Sequence, residues 1–278
     1  MRTLVIHLGA LGDFILACPA IAHLATAGPV TVLGAPARHA LAVAADIATR
    51  AVDGNHVDFH TAFTTPSDRL LAFLAEFDRA VVWVRDADPV LTALRSAGVP
   101  NVVAHPGLPG TDWARPASDY YLDCVGAPPG ATPALHLGEC LSGWDIVVQP
   151  GSGSARKNWP MTHFGEAATR LAQKGRAVTW LAGPAEEDLA YPAGVEPVHE
   201  PDLVTLGRRL AGARLYLGND SGVSHLAAAV GCASVVVFGP TNAAMWAPRG
   251  TQVRVVQGDP WPNVDDVVTC SRAVDSAG

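Results

Sequence analysis

No stretch of this chain holds about eighteen uninterrupted apolar residues, so nothing in it reads as a membrane-spanning helix. The apolar N-terminus, MRTLVIHLGALGDF, is interrupted by Asp13 and leads to no small-residue cleavage site, so no signal peptide is expected. Cysteine is sparse and unpatterned. Cys18, Cys124, Cys140, Cys232 and Cys270 are odd in number and form no CxxC pair, which reads as reduced thiols of a cytosolic protein and argues against structural zinc. His56, Asp58 and His60 lie close enough to mimic a metal cluster, but such spacing is common by chance, and a loop or strand end is the expected setting. Net positive charge is also lacking. The formal charge of −7 argues against nonspecific nucleic-acid binding, although an average leaves local basic patches open. Charged residues of either sign make up only 16% against 49% apolar, the balance of a globular protein with ample core rather than a disordered one.

What is present is a repeated alternation of strands and helices. Strands are expected at Thr3–Leu8, Val30–Leu33, Arg79–Val84 and Asn101–Ala104, then at Asp145–Gln149, Ala177–Leu181, Arg214–Leu217, Ser234–Phe238 and Val253–Val256. Most are continuous Val/Ile/Leu runs without polar alternation, the pattern of parallel strands covered on both faces. Helices are expected between them, such as Asp68–Phe77 and His163–Lys174, the latter with Thr162 as N-cap and Gly175 as stop. Repeated β-α-β units imply doubly wound parallel sheets, and 278 residues suit two domains of about 140. The Pro/Gly/Ser-rich stretch GAPPGATPALHLGECLSG (126–143) marks the boundary. The expected parts are a Rossmann-like domain over 1–135, a second over 143–262 and a C-terminal helical segment over 263–278.

Four loops, each after an expected strand, carry the residues that could do chemistry. In HLGALGDF, Gly9 and Gly12 permit a tight turn. Asp13 then stands at a helix start, either as a cap or as a base aimed into a cleft. Pro19, unable to donate to the Ile15 carbonyl, implies that this helix begins late or is distorted early. In QPGSGSARKNWP, Gly151 and Gly153 allow close backbone approach, Ser152 and Ser154 offer hydroxyls and Lys157 a mobile positive charge, a set suited to phosphate. Both GxxxxGK[ST] and GxGxxG would need glycine where Arg156 stands, so this is neither a P-loop nor a dinucleotide fingerprint, and a nicotinamide oxidoreductase is disfavoured. In LAGPAEED, Glu186 could hold ribose hydroxyls beyond a strand end, or simply be one of the acids of a helix first turn.

The fourth stretch is NDSGVSHLAAAVG (219–231). Asn219, Asp220 and Ser221 are N-cap types, and Val223, Leu226, Ala227 and Val230 make one apolar stripe. A helix starting at Ser221 offers free N–H groups and a positive dipole end, and Gly222 keeps that end open for a bulky anion. Ser221 and His225 are expected on the face away from the core, where His225 can add a proton or a hydrogen bond. FGPT (238–241), after the next strand, is expected alongside.

Taken together, PGSGSARKNWPMTHF, LGNDSGVSHLAAAVGCASVVVFGPT and LGALGDFILACPAI resemble glycosyltransferase family 9, the ADP-heptose:lipopolysaccharide heptosyltransferases. The resemblance implies the GT-B fold, an α/β arrangement of two Rossmann-like doubly wound parallel-sheet domains facing across a cleft. It implies an inverting, metal-independent transfer with no cofactor, the nucleotide diphosphate sugar being the substrate and ADP-heptose the candidate donor. By the same resemblance Asp13 matches the catalytic base. Ser152, Gly153, Ser154 and Lys157 match the first phosphate-contacting loop, and Glu186 would take the ribose. Asp220, Ser221, Gly222 and His225 match the motif that holds the donor's pyrophosphate and sugar. The implied partners are a nucleotide diphosphate sugar and a glycolipid such as lipopolysaccharide core, or another hydroxyl acceptor, with no nucleic acid. The implied location is cytoplasmic, with peripheral contact at the inner face of the inner membrane where a glycolipid would be met. The chain departs from the family in its short stretch after Gly258, in a C-terminal cysteine reduced to Cys270, and in its cations for an anionic acceptor, for which Arg69, Arg79, Arg85 and Arg95 are the nearest candidates. Two other readings therefore stand beside the leading one: a GT-B transferase with a protein or small-glycan acceptor, and a sugar-nucleotide-binding protein without turnover.

Overall fold

The computed structural model describes residues 1–173, 175–183 and 189–276. The chain divides into two compact units, Met1–Trp113 with Ala117–Ala131, and Ala114–Pro116 with Thr132–Gly278.

The first unit carries β1 (Thr3–His7), α1 (Leu11–Ala25), β2 (Val30–Gly34), α2 (Pro36–Ala44), β3 (Arg50–Asp53), α3 (Asp68–Leu74), β4 (Arg79–Trp83), α4 (Asp88–Ser96), β5 (Asn101–His105) and α5 (Ala117–Cys124). Its five strands are all parallel in the order β3-β2-β1-β4-β5. The order reverses between β1 and β4, the topological switch point of a doubly wound sheet. Leu4, Ile6, Leu33, Ala80 and Val82 are fully buried and pack with helix residues such as Leu70, Val90 and Leu94 in one core. Each such Val, Leu or Ile contributes about 1.5–3 kcal/mol relative to remaining exposed.

The second unit carries β6 (Ile146–Gln149), α6 (Met161–Leu171), β7 (Val178–Ala182), β8 (Val198–His199), α7 (Leu203–Ala211), β9 (Leu215–Asn219), α8 (Gly222–Ala229), β10 (Ser234–Phe238), α9 (Ala243–Trp246), β11 (Val253–Gln257) and α10 (Val264–Asp275). Its sheet is again parallel throughout, in the order β11-β10-β9-β6-β7-β8. Here the reversal falls between β6 and β9. Helix α10 is part of this unit rather than a separate segment. Val267 and Val268 are fully buried against the core that α6 and β9–β10 share, and at its end the Asp275 carboxylate accepts hydrogen bonds from both Arg176 and Arg214.

Three local expectations are corrected. Helix α1 begins on time at Leu11 and runs through Pro19 to Ala25, because the proline is buried in the packing that holds the helix, and its missing N–H costs one ladder bond rather than the turn. The N-cap of α6 is Pro160, not Thr162. Its extended backbone launches the helix, and the His163 N–H donates to the Pro160 carbonyl. Strands β3 and β8 carry no apolar run that would announce them, and both lie at sheet edges.

Candidate functional site

In open α/β sheets ligands bind beyond the carboxyl ends of the strands at the switch point. In the second unit those ends are Gln149 on β6 and Asn219 on β9, one residue out of register because Gln149 pairs with Gly218. Both side chains are buried and both are used structurally. The Asn219 Oδ1 accepts the Trp159 backbone N–H at 2.9 Å, while its Nδ2 donates to the Pro150 carbonyl at 2.6 Å. One amide thereby clamps both ends of the loop that carries Ser152, Gly153, Ser154 and Lys157. The Gln149 Oε1 accepts from the Ser221 hydroxyl at 2.9 Å and from the Tyr216 hydroxyl at 3.1 Å. Gly218 is required by this arrangement, since a Cβ there would stand 2.3 Å from the Tyr216 hydroxyl oxygen.

Ser221 is the N-cap of α8, its oxygen accepting the Ser224 N–H at 3.3 Å. The Ser224 hydroxyl in turn donates to the Asn219 carbonyl. The start of α8 is therefore fixed from beneath by a closed set of hydrogen bonds, which leaves the first helical amides, Gly222 and Val223, as the donors without an intrahelical acceptor. Lys157 closes the arrangement. Its ammonium lies 2.9 Å from Asp220 Oδ2, next to Ser221, so the β6 loop and the tip of α8 meet at one point. The Lys157 side chain is 37% exposed and that of Asp220 only 9%, so a partly exposed lysine covers a buried carboxylate. A lysine has three donors, and one carboxylate engages only part of them.

Several expectations change at this site. Lys157 is tethered by Asp220 rather than mobile. Ser152 turns inward, donating to Asn158 Oδ1 at 2.7 Å and lying 2.8 Å from the Ser154 carbonyl, so its hydroxyl shapes the loop. Gly153 is exposed, with open space where a Cβ would stand, so its own fold does not demand a glycine. His225 is buried rather than open to solvent: Ser224 to Ala229 are buried without a break, and His225 is 5% exposed. Burial is the largest cause holding its pKa down to about 4. The neighbouring Lys157 charge adds to this and Asp220 opposes it. His225 is therefore a neutral imidazole at pH 7, able to share a hydrogen bond but not to deliver a proton. Glu186 lies outside the described residues.

In the first unit the β1 switch-point loop places Asp13 at the third helical position of α1, where its Oδ2 accepts the Ala10 N–H at 3.1 Å. Gly9 is closely packed in this loop: a Cβ would meet His7 Cε1 at 2.8 Å and Asp13 Oδ2 at 3.2 Å. Beneath lies an aromatic box. His7 packs against Phe14, His39, Trp83 and Tyr121 with centroids 5.5–6.4 Å apart. Both ring nitrogens of His7 are buried without a hydrogen-bond partner. Burial, with His39 and Arg38 as lesser causes, lowers its pKa to about 3, and burial likewise lowers that of His39 to about 4. Among the described residues no group of three or more His, Cys, Asp or Glu side chains is placed to hold a metal ion, and no helix is long and apolar enough to cross a membrane.

Sequence reasoning missed Gln149, Tyr216, Ser224 and the clamping role of Asn219. The available signal was a polar residue closing a buried apolar strand, as in IVVQ and LYLGN.

The two parallel α/β units share the GT-B fold of solved glycosyltransferase structures. The solved structure of the E. coli ADP-heptose lps heptosyltransferase II superposes with a TM-score of 0.81 at 19% identity, covering 100% of this chain and 99% of that one. The E. coli heptosyltransferase WaaC with ADP gives 0.72 at 17% identity, covering 99% and 100%. Residues 141–273 match the sequence model of glycosyltransferase family 9 (heptosyltransferase). A curated relative, lipopolysaccharide heptosyltransferase 3 of Escherichia coli K12, is 30% identical over 113 residues, 37% of this chain. The matched region spans 33% of that relative's length.

Proposed function

We propose that this chain is an inverting, metal-independent glycosyltransferase that moves heptose from ADP-heptose to a hydroxyl of lipopolysaccharide core. The observation that carries the reading is the meeting of Lys157, Asp220 and the Ser221-capped start of α8 at the β6/β9 switch point. As the glycosidic bond to the leaving diphosphate breaks, negative charge grows on the bridging oxygen. The Lys157 ammonium and the Gly222 and Val223 amides are fixed donors for that charge, so little reorganisation is needed when it develops. Asp220 serves the donor indirectly, by holding the ammonium in place. Asp13 is the assigned base and accepts the proton of the attacking hydroxyl, with its carboxylate oriented by the Ala10 N–H. The names of the relatives, which specify ADP-heptose and lipopolysaccharide, support this choice of donor and acceptor.

The test is thermal melting with ADP-, GDP- and UDP-sugars, followed by mass spectrometry of heptose-free lipopolysaccharide core after incubation with ADP-heptose. A ligand at about a hundred times its Kd stabilises the native state by about 2.7 kcal/mol. The reading predicts that ADP-heptose raises the melting temperature and that the core gains one heptose mass. Stabilisation without transfer would favour a nucleotide-sugar-binding protein or a different acceptor. No stabilisation by any of the three nucleotide classes would contradict the reading.

A further inference from the structure

The loop after β10 holds a polar atom for which the fold gives no use. Thr241 Oγ1 is buried and makes no hydrogen bond with the described residues. Its neighbours on either side are fixed. Gly239 is packed so closely that a Cβ would stand 2.5 Å from both the Pro260 carbonyl and the Trp261 ring, and the Asn242 side chain caps α9 by accepting the Ala244 N–H at 3.0 Å. These contacts fix the backbone around Thr241, while the residue as a whole is only half-buried, so rotation about χ1 can bring its hydroxyl to the surface. A buried hydroxyl without a partner costs stability that a methyl group of the same shape would not, so its retention calls for a partner that arrives from outside.

Strand order indicates what that partner is. Val237 on β10 pairs with Asn219 on β9, so the Gly239–Asn242 loop leaves the sheet beside Asp220 and the tip of α8. Across the sheet the order is β10, β9, β6, β7. A nucleotide sugar whose diphosphate lies at the β9/β6 loops extends toward β7 at one end and toward β10 at the other. On the donor reading, in which the resemblance gives the ribose to the β7 side, the glycosyl end falls to β10.

We propose that Thr241 is a sugar-recognition residue: its hydroxyl hydrogen-bonds a hydroxyl of the transferred sugar and so helps select the glycosyl group. The assignment rests on the donor reading above and adds to it the element that reads the sugar. A threonine hydroxyl both donates and accepts, as a sugar hydroxyl does, and it adds no charge that would compete with Lys157 for the diphosphate.

The test is calorimetric titration of ADP and of ADP-heptose into the full chain and into Thr241→Val and Thr241→Ser. The valine variant is isosteric and should melt at the wild-type temperature or above it. It should bind ADP as the wild type does and ADP-heptose about tenfold more weakly, the usual scale for one lost hydrogen bond to a ligand. Serine should restore most of the difference. Valine binding both ligands as the wild type does, or losing affinity for both in parallel, would overturn the assignment. Wild-type protein that binds neither nucleotide would overturn the donor reading itself, and this assignment with it.

Discussion

The two switch-point loops follow the same topology and are built in opposite ways. Beyond β6 and β9, Asn219, Gln149, Tyr216, Ser221 and Ser224 form a closed polar lattice in which nearly every buried donor and acceptor is matched. Beyond β1, Asp13 stands over a box of His7, Phe14, His39, Trp83 and Tyr121, in which the two His7 nitrogens are unmatched. A satisfied polar lattice rigidifies and specifies one geometry, as a fixed cradle for a diphosphate requires. An apolar box provides a wall of low polarity behind a single carboxylate. Under the proposed function, one strand arrangement serves charge stabilisation in one unit and proton transfer in the other.

The comparison can be broken most severely at Asp13. Asp13→Asn keeps the size and the hydrogen bond to Ala10 but removes the basic oxygen. Heptose transfer should fall about a thousandfold, within the usual range for general-base catalysis, while calorimetric affinity for ADP stays within about twofold. Equal turnover in the two proteins would remove Asp13 from the chemistry.

Acid should separate the units next. Three buried histidines have depressed pKa values: His7 at about 3 and His39 at about 4 in the first unit, His225 at about 4 in the second. At pH 7 they are neutral in the folded protein and mostly neutral in the unfolded chain. As pH falls below about 6.5 the unfolded chain takes up protons that the folded protein refuses, so stability is lost from there down to the folded values. Between pH 7 and pH 5 the loss is about 2 kcal/mol per histidine, twice as much in the first unit as in the second. Hydrogen exchange followed by mass spectrometry at the two pH values should therefore show peptides of the first sheet losing more protection. Equal loss in both sheets would mean the box is not the acid-sensitive element.

A smaller effect tests the lattice. Asn219→Ala leaves the Trp159 N–H and the Pro150 carbonyl without their partner. The predicted loss is about 2–4 kcal/mol in denaturant unfolding of the second unit, from two unmatched buried groups. A change below about 0.5 kcal/mol would show that the loop does not depend on the clamp.

Much of this architecture was legible in the residues because parallel strands buried on both faces read as unbroken Val/Ile/Leu runs, as in SVVVF at Ser234–Phe238. The edge strand RAVD at Arg50–Asp53 was not, because its pairing is decided by β2 rather than by its own pattern. At the site, the spacing of Ser221 and Gly222 announced the helix start. The same spacing did not reveal that His225 is buried, because a helical wheel assumes one dry face, whereas Ser224 to Ala229 of α8 are all buried. The tether between Lys157 and Asp220 joins residues 63 positions apart (157 and 220) and is visible only in three dimensions. Asn219 was read as one of three cap types, although its amide is spent on joining two loops.

The central claim is that Lys157, fixed by Asp220 beside the start of α8, holds the diphosphate. Calorimetric titration of ADP into the wild type and Lys157→Ala tests it directly. The account predicts binding at least tenfold weaker in the variant, with the fold unchanged by circular dichroism. Equal affinity in the two proteins would contradict it.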